Sequence, residues 1–364
     1  MRTSIRMKAA CVAALALRAQ CAGADTTFCV GDIHALREAL ALWTTTPSGT
    51  VTIAMSRGIY AVDSAAGETL GMFTATGAAS LRLLGGYDAG CTQRVLDARN
   101  TVIDGRNEST ARLRLSDVRA DVLFEGLTFT RLPGGIDVVH DFNTVATGHR
   151  LRLAHSRIVN NDTRLGSGSP AYTMRLWGVG SGSGAEVAIE NSVIANNVNL
   201  GFSLSSALST GSGGRVVLTG STVANNRVEI GASGIVLQTF VAPAITFVVM
   251  NNIAWGNGTP GFSYDIDVSS AQTPAVTYTL VGAINGVIGP TATNLALEPR
   301  FLSATAGNFR LSPLSPALDA GNGAQAALPP VDVDGQSRVA GDNVDMGAYE
   351  AAPGDLIFYS DFGG

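Results

Sequence analysis

Four stretches of this chain carry one pattern of apolar and polar positions: LRLAHSRIVNN (151–161), VAIENSVIANN (187–197), VVLTGSTVANN (216–226) and FVVMNNIAWGN (247–257). The first half of each alternates. Leu151 and Leu153, Val187 and Ile189, Val216 and Leu218, and Phe247 and Val249 point one way, and Arg152, Ala188, Val217 and Val248 the other. A period of two is the mark of a strand. A small or polar residue (His155, Asn191, Gly220, Asn251) then breaks the run, and Ile158, Ile194, Val223 and Ala254 supply the next inward position. Each unit therefore reads strand, turn, strand.

The closing asparagines Asn161, Asn197, Asn226 and Asn257 are 36, 29 and 31 residues apart, and VLFEGLTFTRL (122–132) falls about one period upstream. A motif recurring every ~20–50 residues signals a repeat architecture. Stacking each strand on its counterpart one unit later pairs the backbones in parallel, about 4.8 Å apart. The pattern thus predicts an all-β chain folded as a right-handed parallel β-helix. Asn160, Asn196 and Asn225 hold equivalent places, where amides stack along the axis and the left-handed backbone conformation is tolerated. Their expected role is structural. The extra length per unit lies in Gly/Ser-rich connections (165–170, 180–184, 211–214), and such loops are where a repeat protein carries its function.

Upstream of the repeats, Asp32 is placed to N-cap a short helix with Ile33, Leu36, Leu40 and Trp43 on one face, a plug for the open end of the stack. The strand VTIAMSRGIY (51–60) follows and turns at Gly58. The resulting division is an N-terminal cap over 25–60, coils over 61–285, a closing module over 286–352 and a tail over 353–364.

Residues 1–24 read as a secretory signal peptide. Arg2, Arg6 and Lys8 precede an apolar run from Ala9 to Leu17, and Ala22 and Ala24 frame a cleavage site. That run is too short for a membrane span, and no later segment is apolar for long enough. Export would remove four cationic side chains and leave 20 arginines against 29 acidic residues, a net charge of −9. An acidic balance offers no basic footprint for nucleic acid. Two of the four cysteines, Cys11 and Cys21, would leave with the signal; Cys29 and Cys91 would remain in an oxidising compartment, where a disulfide tying the first coil is expected and a pair of buried thiols is the alternative.

The opening helix, strand and Gly58-Ile59-Tyr60 resemble the entry to pectate-lyase-like β-helices. LRLLGGYDAGCTQR (81–94) with TVIDG (101–105), and above all 294–322 with VDVDGQSRVAGDNVDMGAYE (331–350), resemble bacterial exported β-helix proteins of the choice-of-anchor Q type. The resemblance implies the fold and export to the cell surface or medium. It implies no particular activity.

Lyases and hydrolases of polysaccharides also use such folds. A lyase of the pectate type needs acidic Ca²⁺ ligands and a nearby base, and a hydrolase needs two carboxylates across the scissile bond. The densest ionisable stretch, 135–164, holds three of the chain's four histidines. There Asp137, His140 and Asp141 would meet Arg152 or Arg157 if the 133–149 loop folds over the coil face. The alternative is that these arginines are solvated and paired with loop acids. Asp332 and Asp334, with Gly335, are outwardly similar to a calcium loop, although they lack the remaining ligands of one and fit turn positions as well. Trp177 and Tyr172, with Trp255, Phe202 and Phe240, are candidates for stacking against sugar rings. The expectation is a non-catalytic surface or secreted protein that presents loops to a polysaccharide or cell-surface glycan, the alternative being a lyase or glycoside hydrolase with its site near 137–157.

Overall fold

The computed structural model describes residues 25–351 apart from 68, 141–147, 168–171, 179–184, 200–205, 211–212, 229–233, 239–244, 259–263, 271 and 325–327. The proposed signal (1–24) and tail (353–364), and with them Asp141, Phe202 and Phe240, lie outside the described residues.

The chain is mostly β, and three long sheets carry it. The first runs in spatial order through Thr26–Val30, Thr50–Ser56, Ser80–Tyr87, Val122–Glu125, Arg150–Ala154, Glu186–Glu190, Arg215–Thr219, Thr246–Met250 and Val276–Thr277. The second runs through Gly58–Ala61, Thr101–Asp104, Thr128–Thr130, Arg157–Val159, Val193–Ala195, Thr222–Ala224, Ile253–Trp255 and Leu280–Val281. The third runs through Met72–Thr74, Leu113–Val118, Ile136–His140, Met174–Gly178, Ser206–Thr210, Ile235–Gln238, Ile266–Ser269 and Ile284–Asn285. Pairing is parallel, and position matches position from one repeat to the next: Leu151 with Val187, Val187 with Val216, Val216 with Phe247. Within these three sheets every strand's neighbour is thus one repeat away in the chain, an order consistent with a parallel β-helix-like solenoid. No closed barrel forms among the described strands.

The period-two pattern explains the core. Leu151, Leu153, Val187, Ile189, Val216, Leu218, Ile158, Ile194 and Val223 all pack inside one apolar cluster. At one end lies the helix Ile33–Thr45, capped as expected by Asp32, which accepts from Ala35 N at 2.8 Å. Ile33, Leu36, Leu40 and Trp43 are buried, and the Trp43 indole N–H donates to Ala79 O at 2.9 Å. Cys29 and Cys91 are joined by a disulfide that ties the outermost strand of the first sheet to a turn 62 residues on.

Two tight turns per repeat are built from left-handed residues. His155, Asn191, Gly220 and Asn251 (φ 44 to 58°) form one column; Asn160, Asn196 and Asn225 (φ 56 to 57°), followed by Gly256, form the other. The amide stack expected at Asn160, Asn196 and Asn225 lies one residue on. Asn161 donates through Nδ2 to Asn197 Oδ1 (2.9 Å), Asn197 to Asn226 (2.8 Å), Asn226 to Asn257 (2.8 Å), and Asn257 to Asp265 Oδ1 (2.9 Å). At the other end, Asn161 Oδ1 accepts from Leu132 N at 2.9 Å. The adjacent asparagines thus divide the work: the first bends the backbone, and the second, fully buried, satisfies the polar groups the bend leaves inside.

In its later strands the outer face of the second sheet is apolar as well, because it too is covered. Val193, Ala195 and Ala224 pack against Phe309, Val333, Ala348 and Tyr349 of the closing module, and Ile253 and Leu280 against Leu311, Ala317 and Met346. The first turn column is its docking strip. His155 Nε2 lies 3.2 Å from Val331 O, and Asn191 Nδ2 donates to the same oxygen at 2.8 Å. Asn251 accepts from Asn322 N (2.7 Å) and donates to Asn322 O (3.1 Å), as a strand would. At Gly220 a Cβ would sit 3.1 Å from Arg338 Nη2, so the missing side chain makes room for that buried guanidinium.

Candidate functional site

The residues singled out between 137 and 157 are distributed over all three sheets. Asp137, on the third, receives a bidentate pair from Arg175 (Nε to Oδ1 and Nη2 to Oδ2, both 2.7 Å), and Arg114 Nε stands 3.5 Å away. The Arg175 guanidinium lies over the rings of both Tyr172 (4.4 Å) and Trp177 (4.5 Å). These two aromatics therefore come together, and each gives a face to a cation of the protein itself. His140 is buried at the end of the same strand, its ring 5.9 Å from that of His149. Burial and then the neighbouring His149 push its pKa down to about 4. Arg152, on the first sheet, is bound to Glu190 through Nε at 2.9 Å. Arg157, on the second sheet, lies under the closing module, where its charge acts on Asp97, Asp334 and Tyr349. Consecutive strands of one repeat belong to different sheets, so nearness in sequence separates these side chains. The described members form local pairs and no common groove.

Asp332 and Asp334 are buried in a turn. Asp332 accepts from Asp334 N, Gln336 N and Glu350 N at 2.8 to 3.0 Å, and Asp334 pairs with Arg310 and Arg99. Among the described residues no group of three or more His, Cys, Asp or Glu side chains is placed to hold a metal ion.

A different place has the form of a binding site. A cleft of about 750 Å³ opens beside the second turn column, lined by Asn196, Asn225, Arg227, Trp255, Asp265 and Thr305 over a floor of Gly256, Gly258 and Gly282. Its origin is local. The column of outward asparagines ends at Gly256, where the absence of a side chain lets the Asn225 Oδ1 come within 3.0 Å of the place a Cβ would take. Gly282 is equally required, since a Cβ there would meet Asp265 Oδ2 at 2.4 Å and the Trp255 ring at 3.3 Å. The indole forms one wall, half-buried against the closing module, and Thr305 of that module forms the facing rim. No protein group among the described residues engages the side chains of Asn196, Asn225 or Arg227.

No family model and no curated protein matches the sequence. The cleft's chemistry must therefore be read from its own groups. Asp265 is the sole carboxylate among its described lining residues. Burial raises its pKa, and the N–H donors of Asn257, Ala283 and Gly282 pull it back. Both oxygens are already committed, Oδ1 to Asn257 and Oδ2 to Ala283 N at 2.8 Å. Asp265 terminates the buried amide ladder, and a second carboxylate of the kind glycoside hydrolysis needs is not among those residues. What the cleft presents is one flat ring, two amides, a hydroxyl and a guanidinium, an assortment suited to hold a polyhydroxylated ring and poorly suited to cleave it.

The sequence contained signals for this site. Trp255 stands at an outward strand position, and WGN replaces the ANN of the two preceding repeats. The facing rim came from 50 residues further on, which no local pattern announces.

Proposed function

We propose that this chain is an exported right-handed parallel β-helix of the choice-of-anchor Q type that binds glycans without turning them over. The observation that carries the reading is the cleft: an indole wall beside two amides and a guanidinium that no described residue engages, over a glycine floor with no free carboxylate pair among the described lining residues. Secretion or surface display rests on the N-terminal sequence pattern. The absence of any described helix long and apolar enough to cross a membrane is compatible with it.

The test is a glycan array on the intact chain, followed by titration of any hit against Trp255→Ala, Asn225→Ala and Arg227→Ala, with a reducing-end assay on the same glycan. We expect saturable binding, a loss of about tenfold or more for Trp255→Ala, a smaller loss for each polar variant, and no new reducing ends. Because Trp255 also packs against the closing module, the exposed Arg227 is the control that leaves the fold intact. New reducing ends or unsaturated products would replace this reading with that of a hydrolase or lyase. Binding indifferent to all three variants would remove the cleft.

A further inference from the structure

The outer face of the first sheet changes character along its length. In its later strands the outward residues Ala188 and Val217 are buried. In its earlier strands the face is open, and a shallow groove of about 240 Å³ is lined by Thr50, Ser80, Arg82, Leu123, Arg150 and Arg152, with Asp121. Arg82, Leu123 and Arg152 are in register on three adjacent strands. With strands ~4.8 Å apart, the two guanidinium stems stand roughly 10 Å from each other. Between them lies the half-buried apolar Leu123.

The charge pattern is unusual for a chain with a net charge of −5. Three arginines line the groove and one acid accompanies them. Asp121 spends Oδ1 on the backbone N–H of Arg150 at 2.9 Å and has His149 Nδ1 at 3.7 Å. Arg152 is fixed in place by Glu190, and Arg150 is 59% exposed with Glu186 no nearer than 3.9 Å. Arg82 is exposed and makes no ion pair among the described residues.

We infer that this groove is a second binding site, distinct from the cleft, and that it takes a linear anionic glycan with its negative groups on alternate sugars. Two cations separated by two strands match one disaccharide of an extended chain, and the leucine between them offers an apolar seat for the uncharged sugar. A nucleic acid is the weaker fit. Its phosphates follow one another more closely, and the groove has no aromatic among its described lining residues on which a base would stack.

The experiment is calorimetric titration of the intact chain with a hexasaccharide of alternating hexosamine and hexuronate, at about 50 mM and about 200 mM salt. We expect binding that weakens with salt and falls about tenfold in Arg82→Ala. Arg82→Lys should recover part of it, Arg152→Ala should lose a similar amount, and Trp255→Ala should leave it unchanged. Arg82 has no described partner, so its loss leaves the fold intact, and equal melting temperatures verify this. A neutral hexasaccharide should not bind, and a hexagalacturonate, charged on every sugar, should bind more weakly. An unchanged affinity in Arg82→Ala, equal or tighter binding of the hexagalacturonate or an oligothymidylate, or a loss confined to Trp255→Ala would each overturn the inference.

Discussion

Replacing Asn161 by Ala takes one rung from the buried ladder, while replacing its neighbour Asn160 by Ala touches none. Asn161 is 1% exposed; its Oδ1 is the acceptor for the Leu132 N–H, and its Nδ2 donates to Asn197 and, at 3.4 Å, to Phe129 O. Truncation strands the buried Leu132 amide at a cost of about 1–3 kcal/mol, and the lost amide bonds add about 0.5–1.5 kcal/mol each. The sum is about 4 kcal/mol. Asn160 is exposed and contributes its tolerance of a positive φ (57°). Asn160→Ala should therefore cost about 1 kcal/mol through left-handed strain, and Asn160→Gly close to nothing. Equilibrium urea unfolding of the three variants measures the order, and hydrogen exchange at Leu132 locates the effect. Equal destabilisation by Asn160→Ala and Asn161→Ala, or a change below about 1 kcal/mol for Asn161→Ala, would refute the division of labour between the paired asparagines.

Reduction of Cys29–Cys91 reopens a loop of 62 residues and should cost about 4 kcal/mol by the chain-entropy relation, seen as a lower urea midpoint; an unchanged midpoint would show that the helix plug alone holds the first coil. Within the closing module, burial lifts Glu350 to about 7 and Asp345 to about 6, beside the buried Arg338. Both carboxyls hold protons in the native state that they release on unfolding, so their contribution to stability falls as pH rises between roughly 4 and 7. Glu350→Gln should flatten that limb of a melting-temperature profile. His140 acts in the opposite sense: with its pKa pushed down to about 4, native stability is lost as pH drops below the ordinary histidine range near ~6.5. His140→Gln should flatten the acid limb and leave the neutral one as it was.

The repeat was legible because its signal is local and redundant. Alternating apolar residues, a polar break and an asparagine pair recur at each period, and each is imposed by strand pleat or turn geometry. The choice between Asn160 and Asn161 as ladder residue was not legible, since both a left-handed turn and a buried amide stack select asparagine. Asp32, Cys29 and Cys91 could be placed because each needs one nearby or unique partner. The apolar outward residues Val193, Ala195 and Ala224 were a missed clue: a sheet face that met water would not carry them, and they announce the module that covers it. The cleft and the groove depend on which strands become neighbours, so a cluster of ionisable residues in sequence, such as 137–157, was a poor guide to either.

The manner in which residues 322–324 and 328–348 lie along the turn column has a mechanical consequence. In a linear array whose units touch only the units before and after, opening propagates one boundary at a time, and the ends fray independently. Here one segment grips His155, Asn191, Thr222 and Asn251 and reaches back to Ala98. It splints units that have no direct contact with each other. An interior unit is unable to open without peeling the splint from its neighbours, which couples distant parts of the array and turns a row of separable steps into a single cooperative event.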